Sequence, residues 1–158
     1  MPEIFRQDLG LSNYGVSPLT IVPYTLGFLA SAYFTFRAAL ALDPAPLVSN
    51  VVRYGLLAIA VLQVALLVVP DLKLDSIRHA HLVVGMTLFG AEMALSLWIV
   101  ACTKAKAGDF WLLAVQVLAC VSAYFSLGGR PPLEAPSQLV FQLCFITLAI
   151  RAAGRIER

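Results

Sequence analysis

Residues 81–102 read HLVVGMTLFGAEMALSLWIVAC, and this stretch decides the fold. Between His81 at its start and Cys102 at its end it holds one carboxyl, Glu92, and no Lys, Arg or Asp. A helix needs about 20 apolar residues to cross the hydrocarbon core of a bilayer, and this run is long enough. Four more runs approach the same length. They fall at about 18–42, with Arg37 near the end, and at about 51–69, 110–127 and 136–150. The last two are short and reach further with their flanks.

Composition agrees. The chain has 158 residues, of which 60% are hydrophobic and 13% charged. Its mean hydropathy is +0.86. Soluble domains are about half apolar and about a quarter charged. A small soluble domain cannot bury so much apolar surface. The length fits one folding unit. The net charge of +2 is small, with no basic stripe or tail, so nucleic acid is not an expected partner. Cys102, Cys120 and Cys144 sit in apolar runs without a C-x-x-C spacing. That argues against a disulfide framework, a zinc site or thiol redox chemistry, and reads as packing. No cofactor is expected.

The breaks between runs have chemical causes. Asp43-Pro44-Ala45-Pro46 cannot continue a helix, because proline lacks the donor and restricts its predecessor. Pro70-Asp71 closes the second run. Lys104 to Asp109 make a short polar turn, with Asp109 placed to cap the fourth helix. Gly128-Gly129-Arg130-Pro131-Pro132 breaks the chain before the fifth. Short connections make successive helices antiparallel neighbours.

The expected architecture is therefore an all-α integral membrane protein, a bundle of five transmembrane helices. Its orientation follows the bias of Lys and Arg. Arg6, Lys73, Arg78 and Arg130 fall on one side. Arg37, Arg53, Lys104, Lys106, Arg151, Arg155 and Arg158 fall on the other. Four against seven predicts N-out and C-in. Residues 1–17 read as an outer interfacial segment, because Ile4, Phe5, Leu9 and Leu11 alternate with Arg6 and Asp8 rather than forming a signal peptide. Residues 18–152 form the membrane domain and 153–158 a cytoplasmic tail. The expected location is a plasma membrane of bacterial type. There is no internal repeat and no inverted pair of broken helices of the kind found in many secondary transporters.

Glu92 is the residue that most needs a reason. A carboxyl in mid-membrane is costly unless it is protonated, paired or wetted, so it must face the bundle interior. A neutral acid bonded to a neighbouring helix is the plainer reading, and a functional one competes with it. At 100° per residue, Arg78, His81, Gly85, Glu92 and Ser96 share an arc of about 60°. His81 and Glu92 are roughly 16 Å apart along the axis, too far to touch but able to line one path. The other runs supply Tyr24, Gly27, Ser31 and Thr35 on one arc of the first, Gln63 in the second, Gln116, Tyr124 and Ser126 in the fourth, and Gln138 and Gln142 in the fifth. A glutamine in lipid usually bonds to another helix. So many amides around one carboxyl imply a hydrated or ligand-holding interior. The candidate ligand-binding or polar-interior set is Glu92, His81, Arg78, Gln63, Gln116, Gln142, Tyr24 and Tyr124, with no catalytic residue named.

The outer rim gathers Asp71, Asp75, Arg78, His79, His81, Arg130 and Glu134. His79 and His81 are about 200° apart on a helix, so one helix cannot aim both at one metal, and no metal site is expected. With only these two histidines in the chain, a bis-histidine haem is not expected either.

The order of features resembles the DRAM-like group of small six-span membrane proteins. The likeness rests on Ser12-Asn13-Tyr14-Gly15, on the outer loop running into His79-Ala80-His81-Leu82, and on Glu134 before the last run. It implies a chain that lacks that group's first helix and begins in its first outer loop. It brings no functional residue with it. Tryptophan-rich sensory proteins of translocator type have similar length, but only Trp98 and Trp111 are present here and their motifs are missing.

Three functions follow, in order of preference. The first is a non-enzymatic protein that binds a lipid or small amphipathic ligand, or serves as accessory subunit of a membrane complex. The second is a proton-coupled transporter or channel using Glu92, formed by homo-oligomerisation. The third is an enzyme acting on lipid through His79 or His81 and Asp75.

Overall fold

In a computed structural model the chain folds into α1 (Ile21–Ala41), α2 (Leu47–Val68), α3 (Asp75–Cys102), α4 (Ala107–Ser126) and α5 (Glu134–Ile156). The structure describes residues 20–44, 47–69, 75–126 and 133–156. The expected interfacial segment, the break at 128–132, and Arg6, Asp71, Lys73, Arg130 and Arg158 lie outside the described residues.

Local sequence sets each helix. Pro23 is the third residue of α1, where a missing N–H leaves no intrahelical bond unmade. The amide of Tyr24 closes the first turn on the Thr20 carbonyl at 2.9 Å. α1 stops where Leu42 turns extended, with ψ of 132°, ahead of Asp43-Pro44. The turn that follows is tied by Ser49, wholly buried in α2, whose hydroxyl donates to the Asp43 carbonyl. α4 starts at Ala107, and Asp109 acts from inside its first turn rather than ahead of it. Its Oδ2 accepts the Lys106 amide at 2.8 Å, the reciprocal half of a capping box.

The helices meet along seams that step by three and four. Val52, Leu56, Ile59, Gln63 and Leu66 form the seam of α2. Leu88, Glu92, Leu95 and Ile99 form that of α3, and Phe141, Phe145, Leu148 and Ala152 that of α5. Such stripes let near-parallel helices interdigitate over their whole length. At one level α2 and α3 come especially close. A β-carbon on Gly55 would lie 3.0 Å from both δ-carbons of Leu95, so glycine is what lets Leu95 seat there. α1 packs along α2, α2 along α3, and α4 along α5. α3 meets α4 and α5 through a thinner seam than the one between α4 and α5. The bundle is thus two hairpins flanking a central helix.

The outside is the apolar side. Phe34, Val61, Met86, Leu118, Phe125 and Ile150 are among many large apolar side chains exposed on every helix, whereas Ser49, Glu92, Ser96, Asp109 and Gln116 are wholly enclosed. A water-soluble protein does not expose apolar surface on this scale. Four helices are long and apolar enough to cross a membrane: Leu47–Val68, Ser76–Cys102, Ala107–Phe125 and Ala135–Ile156. This is the build of an integral, multi-pass membrane protein. α1 is less apolar, because Pro23, Tyr24, Thr25, Ser31, Tyr33, Thr35 and Arg37 interrupt its run. Several boundaries move outward from the sequence reading, two of them by six residues. α3 starts at Asp75, ahead of His81, and α5 runs to Ile156, absorbing most of what reads as a tail.

Candidate functional site

Glu92 is wholly buried on α3. Its Oε2 accepts a hydrogen bond of 2.8 Å from the Gln142 amide on α5. Its Oε1 has no hydrogen-bond partner among the described residues. One turn along the same face lies Ser96, also wholly buried, its hydroxyl unpartnered. Gln116 on α4 is wholly buried with neither Nε2 nor Oε1 bonded.

These groups fall within about one helical turn of each other along the bundle. Measured from the Asp109–Arg151 contact at one end of the bundle, Gln142 is about 13 Å along α5 and Gln116 about 10 Å along α4. Ser96 is about 6 Å closer to that end than Glu92. Gln116 also stands roughly 120° round α4 from Ser122. Ser122 bonds to Ser137 on α5 at 2.9 Å, so the buried Gln116 amide is turned toward the α3 side. Helical rise thus places the buried polar groups of α3, α4 and α5 within about one turn of each other, where α3 meets α4 and α5. Phe89 and Phe141, edge to face at 4.9 Å, pack in the same α3–α5 seam.

Gln63 is buried on the other flank of the bundle, where its Nε2 donates to the Ser31 hydroxyl at 3.1 Å and joins α2 to α1. Its Oε1 has no partner. His81 is buried and its Nδ1 lies 2.6 Å from the Val69 carbonyl, so it fastens the start of α3 to the end of α2. Tyr24 is half-buried with its ring 4.7 Å from that of Phe28.

Other expectations need correction. Arg78 falls on the arc of Glu92 but is exposed, in the first turn of α3. Tyr124 is exposed too, packed edge to face on Phe125 at 5.7 Å, and takes no part in the interior. Gly85 is not an open notch, since Leu66 leans on it and would touch an added β-carbon at an ordinary 3.8 Å. No described residue approaches Gly27, so among them it serves no close packing of α1. His79 is exposed while His81 is buried, as their separation round the helix requires. Among the described residues no three His, Cys, Asp or Glu side chains converge as metal ligands would. The side chains of Asp75, Ser126 and Glu134 lie outside the described residues.

The strongest polar cluster is one the sequence reading did not assemble. Asp109 is wholly buried between two arginines of α5. Arg155 donates to Oδ2 at 2.8 Å, and the Nε of Arg151 lies 2.9 Å from Oδ1. Arg155 also donates to the Thr103 hydroxyl at 3.2 Å. The Arg151 guanidinium lies over Gly108, where a β-carbon would come within 3.1 Å of it. The signal was available: Arg151 and Arg155 are one turn apart on one face, opposite a lone carboxyl in the first turn of α4. They counted instead as unpaired topology charges. The cluster joins α3, α4 and α5 at one end.

Comparison with protein-family models, with curated proteins and with solved structures finds no match to this chain. The resemblance to the DRAM-like group therefore rests on the order of features alone.

Proposed function

We propose that the chain is a five-span membrane protein, N-out and C-in, that acts without catalysis by holding a lipid or small amphipathic ligand in the seam between α3, α4 and α5, alone or as accessory subunit of a larger complex. One observation carries this reading. Glu92 Oε1, the Ser96 hydroxyl and both ends of the Gln116 amide are buried within about one helical turn of depth, without partners among the described residues. Leaving such a group unsatisfied costs about 1–3 kcal/mol, and apolar side chains of similar shape would avoid that. Groups kept at that expense in a thin seam are suited to bonding a ligand head whose tail lies among the exposed apolar faces.

The test turns on a sign. If Gln116 serves packing, Gln116→Leu should unfold more easily and leave the co-purifying lipid unchanged. If Gln116 serves a ligand, the variant should be as stable as the parent or more so when delipidated, and should lose the ligand retained by the parent in native mass spectrometry. A destabilised variant with an unchanged ligand profile sinks the reading.

The orientation has its own check. A reporter fused after Arg158 should read cytoplasmic and a tag before Pro2 should be accessible from outside. A cytoplasmic N-terminal tag would remove either α1 or another helix from the set of spans. Because Glu92 is a carboxyl with no cation paired to it among the described residues, a second reading stands beside the first: a proton-coupled carrier in which Glu92 titrates.

A further inference from the structure

The charge inventory of the seam narrows the ligand. At its level stand one carboxyl, Glu92, and the uncharged Ser96, Gln116 and Gln142. Among the described residues no cation is bonded to these groups. Arg151 and Arg155 are engaged by Asp109. His81 is roughly 16 Å from Glu92 along α3 and is turned to Val69. Arg53 on α2 is half-buried with its Nε unpartnered, and lies roughly 160° round the helix from Gly55, the residue that touches α3. Arg37, Arg78, Lys104 and Lys106 are exposed.

An anionic head would therefore meet a carboxyl and no counter-charge, in surroundings that screen poorly. A hydrogen-bond-donating cation would meet a counter-ion and several acceptors: Oε1 of Glu92, Oε1 of Gln116 and the Ser96 hydroxyl. We propose that the ligand head is an amine, paired in its ammonium form with Glu92 and held by hydrogen bonds to Gln116 and Ser96, so that the protein selects amphipathic amines over neutral or acidic amphiphiles of the same tail. This rests on the ligand-binding reading above and adds the chemical class. The pairing balances from either starting state. An ammonium ion meets a carboxylate, or a neutral amine takes the proton from the neutral acid. Both give the same ion pair, with no net charge buried.

Three probes with one tail separate the possibilities: dodecylamine, dodecanol and dodecanoate, each offered at neutral pH to the full chain in phosphatidylcholine nanodiscs, with binding read by displacement of radiolabelled dodecylamine. Saturable binding of the amine is expected, roughly tenfold tighter than the alcohol, with no saturable binding of the carboxylate. Glu92→Gln, which keeps the shape and the bond to Gln142, should erase the preference for amine over alcohol. Gln116→Leu should weaken all binding. If dodecanol or dodecanoate competes as well as the amine, and Gln116→Leu still weakens it, the amine assignment falls while the ligand-binding reading stands. If no probe binds saturably, or if both variants bind as the parent does, both fall together.

Discussion

Asp109→Ala should lower the stability of the folded bundle by about 3 kcal/mol, the lower end of what breaking a buried ion pair removes. The lower end applies because the Arg151 side chain is 39% exposed and water can take over part of its charge, whereas Arg155 is 17% exposed and cannot be relieved so easily. The carboxylate does three jobs at once. It neutralises Arg155, contacts Arg151 and caps α4 through the Lys106 amide. Alanine removes all three and leaves two guanidinium groups facing each other. Asp109→Asn keeps an oxygen for the Lys106 amide and should lose less. Unfolding in mixed micelles of graded SDS content measures each value. In the double variant Asp109→Ala with Arg155→Ala the loss should be smaller than the two single losses combined, since no buried cation then lacks its partner. An Asp109→Ala protein with the parent's unfolding midpoint would show that the cluster holds nothing together.

The second large effect belongs to Gln142. Gln142→Leu takes away the one bond that the Glu92 carboxyl makes among the described residues and should destabilise by about 1–3 kcal/mol, the penalty for a buried polar group left bare. Glu92→Leu removes the bond along with the costly group, so its loss should be smaller, on the order of 0.5–2 kcal/mol. Combining the two should recover part of the Gln142→Leu loss. Glu92→Gln can still accept from Gln142 and should match the parent. The same variants speak to transport. If Glu92 carries protons, Glu92→Gln should be stable and yet abolish pH-driven flux in liposomes. A Glu92→Leu protein with undiminished stability and function would leave the carboxyl without either role.

The helices were legible because lipid makes a simple demand. A spanning helix must be apolar for about 20 residues, and proline or clustered polar residues must end it. The arc of His81, Glu92 and Ser96 was equally plain, since helical periodicity places them on one face and no other face of α3 tolerates a carboxyl. What periodicity cannot give is the neighbour. Nothing in the spacing tells Gln142, which finds Glu92, from Gln138. Tyr124 lies roughly 80° round α4 from the buried Gln116. Arg78 stands apart for a related reason. A helical wheel has no ends, and a residue near the end of a helix can share the buried arc while standing beyond the reach of the next helix. The Asp109 cluster was hidden by rule. Lys and Arg near helix ends are counted for orientation as if free, and two of them turned out to be counter-ions.

The two polar bonds that fasten α3 and α4 to α5 also set a schedule for synthesis. Gln142 follows Glu92 by 50 residues, and Arg155 follows Asp109 by 46. At translation rates of about 5–20 residues per second, the carboxyl of α3 waits roughly 3–10 s in the translocon or the bilayer before its partner is made. During that interval the nascent chain presents an unbonded acid to lipid, a feature by which membrane insertases and quality-control proteases can recognise an unfinished protein. Ribosome stalling ahead of α5, or a frameshift that removes it, would therefore yield a product marked for removal, however well its first four helices insert.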